Sequence, residues 1–531
     1  MKKLNGKDLF FMAMGSCIGA GIITNTGVAI GMAGSGVILA YLLAFFVMFI
    51  ANLPTMLFAT VHPVTSPQYV MTSWASKKVA GFWLYCQVFA TFAQAYMGVA
   101  FGTYVNSIIP AISVQAAACF IVTLFFLLNL LDLKSSAMVQ NVTTAILLCV
   151  LLSFILLGLP KCDLGRMFSG ESLFYGGARG IFDACANVLF GVGGCTILMN
   201  FGPQMENPKR NIPRMTIITF ICAFLAFGLV AFVGSGVAPI EEVAGQPMTY
   251  QAQLIYPGNT YVIFVVGGAL LAIITTINSN YQRYWSSIIR GVDEGWLPAF
   301  MGKRNKRGTP WVLMVLFWLM ALIPNLFNLN IGQLVSLASA VTLIPMLIPI
   351  WGFLKLPEGD PEGWKASRMS KYFSSTASRV VLCTICTLMI GVFVVLNVLQ
   401  FTPVVTIFII VYFAVALIIS FAFGDKLMAA GKAGCSSPCR RVKASFLLRF
   451  PPAGWAPISL YDKQGQKGRF IMVNKLEKCL HPCSPNEIRS GSAHKIQAEM
   501  QKQGLGYLIL RLLPMCLCHR IHLSGGETVR Q

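Results

Sequence analysis

Apolar residues in this chain run in long, nearly charge-free stretches separated by short polar loops. They neither alternate with polar positions, as on a half-buried strand, nor recur once per turn, as on a helix that faces water. A helix rises 1.5 Å per residue, so about 20 residues cross the roughly 30 Å of bilayer hydrocarbon. Stretches of that kind lie at 8–31, 36–58, 80–109, 112–131, 138–159, 181–203, 213–237, 258–289, 310–326, 332–354, 379–399 and 402–424. They predict an all-α integral membrane protein with twelve transmembrane helices. The first stretch is longer than a signal-peptide core and has no cleavage-like stop behind it, so it is expected to be retained as a span. Composition agrees: 56% of residues are apolar and 11% charged, against about a quarter charged in soluble domains.

Two stretches are interrupted by glycine at matching places. The first contains Gly15-Ser16-Cys17-Ile18-Gly19-Ala20-Gly21, and the sixth contains Phe190-Gly191-Val192-Gly193-Gly194-Cys195-Thr196. Spans one to five and six to ten then read as two halves, each opened by a broken helix, with spans eleven and twelve appended. An odd number of spans per half inverts the second half relative to the first. Glycine weakens a helix by about 1 kcal/mol, and in lipid a freed N–H or C=O has no water to bond. Such breaks persist where loose backbone lines a protein cavity, and a matched pair points to a transporter's substrate site. Taken singly, either segment is explained as well by close helix packing, with Gly15, Gly19, Gly27 and Gly31 at small-xxx-small spacing. The pairing favours the cavity. Free N–H groups around Gly19-Ala20-Gly21, at the positive end of the outer half-helix, suit a carboxylate. Carbonyls near Ser16–Ile18 and Phe190–Gly194 suit an ammonium group. Together they describe a grip on the zwitterionic end of an α-amino acid.

Loop charges orient the spans. Lys2, Lys3, Lys7, Lys77, Lys78, Lys134, Lys209, Arg210, Arg214, Arg290, Lys303, Arg304, Lys306, Arg307, Lys355, Lys365, Arg368, Lys371 and Arg379 fall on one side. The other side carries Lys161, Arg166 and Arg179 with acidic Glu241 and Glu242. The positive-inside rule then places both termini in the cytoplasm. The net charge of +21 is concentrated after residue 425, where 17 Lys and Arg meet five acids. That tail, 426–531, is polar and Pro/Gly-punctuated, and is expected to be disordered or non-native. Its clusters Cys435/Cys439, Cys479/His481/Cys483 and Cys516/Cys518/His519/His522 carry metal-ligand residue types at spacings of no recognised zinc module. The basic balance reflects inside loops and tail, and no nucleic-acid partner is expected. The cysteines in or beside spans are expected to be free thiols.

Three separated motifs carry a resemblance. The first-span segment GSCIGAGIITNTG, the stretch Glu206-Asn207-Pro208-Lys209-Arg210-Asn211-Ile212-Pro213 after span six, and Asp293-Glu294-Gly295-Trp296-Leu297-Pro298 after span eight, with Thr309-Pro310 opening span nine, occur in that order. Together they resemble the amino acid–polyamine–organocation (APC) superfamily over roughly residues 5–425. The resemblance implies a LeuT-type 5+5 inverted repeat with helices 1 and 6 broken, a twelve-helix permease domain at 1–425, and alternating-access transport of amino acids or related amines. It further implies that Ile18, Gly19, Ala20 and Gly21 form the carboxylate loop, that Phe190 is an aromatic gate, and that Gly191, Gly193 and Gly194 lie on an unwound sixth helix. Thr196 stands where many members carry glutamate, and Leu147 stands where some proton-coupled members carry a lysine.

Further polar residues within spans are candidates to face the cavity: Thr91 in span three, Asn280 in span eight and Thr342 in span ten, together with Gln94, Tyr96, Asn278, Ser279 and Ser339. Interhelical hydrogen bonding is an equal explanation for each. Thr275, Thr276 and Ser279 are candidates to help first-helix carbonyls hold sodium. Asp183 and Arg283 are the deepest ionisable residues, near span ends. No carboxylate lies near the expected midplane, which argues for a neutral substrate. The expected function is a secondary active permease for neutral amino acids in the plasma membrane. An exchanger without net ion coupling and a non-transporting amino-acid sensor are the alternatives. No P-loop or nucleophile signature supports an enzyme. No cofactor is expected beyond a coupling H+ or Na+, and the expected partners are an amino acid and the bilayer, with the oligomeric state open.

Overall fold

Each of the twelve apolar stretches is helical in the computed structural model, which describes residues 5–131, 133–306, 308–326, 331–435, 456–458 and 471–473. Helices α1 (Gly6–Cys17) and α2 (Ala20–Ala33) divide the first stretch, and α3 (Val37–Val61) follows. After the short α4 (Pro67–Ala75), helices α5 (Lys77–Ala90) and α6 (Ala93–Ile108) divide the third. Next come α7 (Val114–Leu131), α8 (Leu133–Gly158), α9 (Gly177–Val192), α10 (Pro208–Gly236) and α11 (Leu271–Asp293). The domain closes with α12 (Trp311–Leu326), α13 (Ile331–Leu343), α14 (Thr376–Val398), α15 (Pro403–Ala422) and α16 (Gly424–Cys435). Among the described residues, nine helical segments are long and apolar enough to cross a membrane, and Asp8–Cys17, Val114–Leu130 and Trp311–Leu326 are shorter apolar helices. This is an all-helical, multi-pass membrane protein through residue 435.

Spans three, six and eight depart from a plain helix. In the third, the Thr91 hydroxyl donates to the Val88 carbonyl at 2.7 Å, and the amides of Phe92, Gln94 and Ala95 donate three residues back. A threonine that bonds its own helix often bends it, and here the α-helix stops at Ala90 and restarts at Ala93. In the sixth, α9 runs without a gap into a 3-10 stretch, Gly193–Gln204. Phe190 and Gly191 therefore lie on regular α-helix, and from Gly193 the span tightens into 3-10 where unwound backbone was expected. The eighth opens with a π turn, Phe264–Leu270, where Gly267 admits the Val150 side chain of α8.

The loop motifs set helix ends. Gly295, at φ +88°, closes α11 while the Trp296 amide donates to the Gly291 carbonyl at 2.8 Å and the Gly295 amide to Val292 at 3.2 Å. That is a Schellman cap, which favours glycine at its left-handed position. It turns Trp296 inward, buried against Gly81 of α5, with the Tyr85 hydroxyl bonded to its carbonyl at 2.7 Å. Asn207, at φ 45°, precedes Pro208 at the first turn of α10. Helix α15 is tied to α5 by hydroxyl bonds from Tyr412 to the Tyr85 carbonyl and from Ser420 to the Lys78 carbonyl.

The chain divides into two units, 1–434 and 435–531. In the second, Ala456–Ile458 pairs antiparallel with Ile471–Val473, Ala456 opposite Val473. These three-residue strands are too short to show alternation in the sequence, where the tail was expected to lack regular structure. The expected Cys/His metal clusters lie outside the described residues, apart from Cys435 at the end of α16.

Candidate substrate site

The first span breaks over two residues. The Ile18 amide still donates to Met14 at 2.8 Å, but the Gly19 amide donates to Cys17, two residues back, at 2.9 Å. Gly19 is extended (φ −121°, ψ −158°) and provides no side chain to cap α2. The opening N–H groups of α2 thus lack a capping side chain at the positive end of its dipole. Ala20 and Gly21 open α2, and Ile18 is buried between the half-helices.

The break in the first span meets the α-to-3-10 transition of the sixth. A Cβ placed on Gly194 would lie 2.3 Å from the Ser16 carbonyl oxygen and 2.6 Å from the Cys17 Cα, so the start of the 3-10 stretch abuts the end of α1. One residue on, the Cys195 Sγ is 2.9 Å from the Cys17 Sγ, and both thiols are free. Gly193 faces open space, with nothing within 4 Å of its Cβ position. The Thr196 hydroxyl bonds back to the Gly193 carbonyl at 2.9 Å.

The same glycines also serve close packing. A Cβ on Gly19 would fall 2.0 Å from Thr276 Oγ1 of α11, and one on Gly15 would fall 2.1 Å from Thr144 Oγ1 and 2.5 Å from Gln140 Nε2 of α8. Gly27 and Gly31 admit the backbone of residues 244–246. Cavity lining and small-residue packing are therefore joint properties of one segment. The three atoms nearest the Cβ position of each of Gly15, Gly19 and Gly194 belong to uncharged groups. Asp183 is engaged with Arg179 one turn away at 3.6 Å, and the side chain of Arg283 lies outside the described set.

Phe190 stands edge-on to Tyr96 of α6 at a centroid distance of 6.2 Å, and the Tyr96 hydroxyl donates to Asn25 Oδ1 of α2 at 3.2 Å. The expected gate residue is thereby linked to the outer half-helix. Thr91 sits at the bend of span three, Asn280 is buried on α11 and Thr342 lies on α13 with its hydroxyl unpartnered. No hydrogen bond or ring contact among the described residues joins these three to either break. The hydroxyls of Thr275, Thr276 and Ser279 each donate to carbonyls of their own helix, at 2.8 to 3.0 Å. Their oxygens keep acceptor capacity, and Thr276 presents its oxygen to Gly19.

Sequence reasoning did not single out Gln140 and Thr144. Both are buried against Gly15, and Gln140 accepts from Asn278 Nδ2 at 3.1 Å while Asn278 accepts from Asn129 at 3.2 Å. Their polarity inside an apolar stretch was the available signal. A separate open groove of about 640 Å³ is lined by Asn5, Gly6, Phe10, Asn211, Arg214 and Met215 among others, and contains none of the expected site residues.

The sequence matches the model of the amino acid permease family over residues 4–421. The chain belongs to the amino acid permease family. It is similar to the amino-acid permease RocE of Bacillus subtilis (strain 168), 24% identical over 369 residues covering 66% of this chain and 77% of that protein. The branched-chain amino acid permease BcaP of the same strain is 23% identical over 375 residues, 65% of this chain and 80% of its own. The aromatic amino acid transport protein AroP of Escherichia coli (strain K12) is 21% identical over 324 residues, 58% and 70%. The APC resemblance of the three motifs is thus upheld. The family is one of amino acid transporters set in membranes, not of enzymes.

Proposed function

We propose that this protein is a secondary active transporter that carries neutral amino acids across the plasma membrane by alternating access. The reading comprises twelve spans in a LeuT-type 5+5 inverted repeat with two appended helices, both termini cytoplasmic, and a basic cytoplasmic tail at 426–531. The observation that carries it is the approach of the sixth span to the break in the first: α1 ends at Cys17, α2 restarts at Ala20, and Gly194 of the sixth span presses on the α1 end of that gap. Backbone groups of Ile18, Gly19, Ala20 and Gly21 would hold the carboxylate, those around Gly193 and Gly194 the ammonium group, and Phe190, Thr196, Thr91, Asn280 and Thr342 would shape the side-chain end. The uncharged groups nearest Gly15, Gly19 and Gly194 support a substrate without net charge, because a cationic side chain in lipid needs a counter-charge. The names of BcaP and AroP, which specify branched-chain and aromatic amino acids, point the same way.

Thr276 Oγ1 beside Gly19 supports sodium as the coupling ion. Obligate exchange without net coupling is the second reading, favoured by the uncharged Gln140 and Thr144 that α8 presses on Gly15. The test is uptake of a labelled neutral amino acid into proteoliposomes, with every amino acid and common amines as competitors and with sodium and pH varied separately. Competition by neutral amino acids is expected. Competition by arginine or putrescine alone overturns the substrate assignment, and binding without flux leaves the sensor.

A further inference from the structure

We propose that Cys17 and Cys195 are a reversible thiol–disulfide pair that, when oxidised, staples the first and sixth spans together and arrests the carrier. The sulfurs stand 2.9 Å apart, 178 residues separated in sequence, and no other pair of described cysteines is hydrogen-bonded through sulfur. A disulfide needs about 2 Å, so the pair closes with a sub-ångström displacement. The backbones already touch at this level, since the Cβ position of Gly194 lies 2.6 Å from the Cys17 Cα. Each cysteine adjoins a change in helical course: Cys17 ends α1 two residues before the extended Gly19, and Cys195 follows Gly193-Gly194, where the sixth span passes from α to 3-10. Any movement of the inner half-helix relative to the sixth span therefore changes the sulfur separation, and a covalent bond between them forbids that movement. The arrest rests on the transport reading above; the cross-link does not.

The chemistry needs a two-electron thiol oxidant, and a small disulfide RSSR supplies it. The Cys17 thiolate attacks one sulfur of RSSR, breaking its S–S bond and releasing RS⁻ with the electron pair. The Cys195 thiolate then attacks the Cys17 sulfur and expels the second RS⁻. The two thiol protons pass to the released thiolates, so the protein pair is oxidised by two electrons and RSSR becomes two RSH. Both cysteines are enclosed, at 2% and 0% exposure, so reaction awaits the opening of the path between the spans, and an excess of external thiol reverses it.

The experiment treats the full-length protein in proteoliposomes with 2,2′-dipyridyl disulfide, maps peptides by mass spectrometry, and measures uptake before oxidation, after it, and after dithiothreitol. A peptide joining Cys17 to Cys195 is expected, with uptake falling roughly tenfold, as for a carrier barred from its conformational step, and recovering on reduction. In Cys17→Ala and in Cys195→Ala the ratio of uptake after to before oxidant is expected to stay near one. Absence of the joining peptide overturns the pairing. A joined protein with undiminished uptake, or single variants that are still arrested, overturns the brake. If the reduced protein shows no uptake at all, the transport reading fails, while the peptide map still decides the thiol pair.

Discussion

Neighbouring glycines where the sixth span passes from α to 3-10 play opposite parts, and substitution can separate them. Gly194 has the Ser16 carbonyl at 2.3 Å and the Cys17 Cα at 2.6 Å from its Cβ position, both backbone atoms that no rotamer change can move aside. Gly193 has nothing within 4 Å and a helical conformation, φ −55° and ψ −23°. Gly194→Ala is therefore expected to lose about 1–3 kcal/mol, the usual range for overpacking, and to lower the melting temperature in detergent together with uptake. Gly193→Ala is expected to melt at or above the parent temperature, since alanine gains up to about 1 kcal/mol over glycine in a helix. Equal melting temperatures for the two variants would exclude the close approach of the spans. A GVGGC string announces that something is special there, but nothing in it says which glycine is pressed and which is open. That depends on Ser16 and Cys17, which lie 178 residues or so away in sequence. Likewise the sequence suggested Gly15 and Gly19 as either cavity lining or packing glycines, and only the positions of Thr144 and Thr276 show both uses at once.

At the scale of elements, helix ends are encoded more locally than helix interiors, although the apolar stretches put the start of span seven at 213 and the end of span eight at 289, inside the observed 208 and 293. The Glu294-Gly295-Trp296 turn and the Asn207-Pro208 start are encoded locally, by a left-handed position and by a residue with fixed φ, so the sequence carries them in a few residues. The bend at Thr91 and the 3-10 course of 193–204 were not visible, because hydropathy reports transfer to lipid and is indifferent to whether an amide bonds three or four residues back. The consequence at Gly295 is measurable. At φ +88° a side chain is strained, so Gly295→Ala is expected to cost about 1–2 kcal/mol, with a lower melting temperature and a looser Trp296. Trp296 fluorescence in Gly295→Ala should shift toward that of a wetter indole. An unchanged melting temperature and spectrum would mean that the cap does not position the ring.

For the whole molecule, segments 298 residues apart in sequence are joined outside the spans by a polar latch. His62, just past α3, lies 2.8 Å from Asp360, and Trp74 of α4 packs on His62 and on Gly359. Asp360 also caps the helix Pro361–Ala366 by accepting the Gly363 amide at 2.9 Å. Burial pushes its carboxyl up, but the Gly363 amide and His62 outweigh this and hold it below the ordinary carboxylate range. Because the folded value is depressed, the carboxylate stabilises the fold fully above the unfolded value of about 3.9. That contribution is lost as pH falls through the lower folded value. Two substitutions separate the parts. Asparagine caps a helix as well as aspartate does, whereas alanine costs about 1 kcal/mol, so the difference between Asp360→Ala and Asp360→Asn measures the cap and is expected to be independent of pH. The difference between the parent and Asp360→Asn measures the charge. It is expected to persist from neutral pH down to about pH 5 and to close only below the ordinary carboxylate value of about 3.9. Melting curves of the three proteins in detergent across that range check it, and a difference that already closes between pH 7 and 5 would place the titrating group elsewhere than on Asp360.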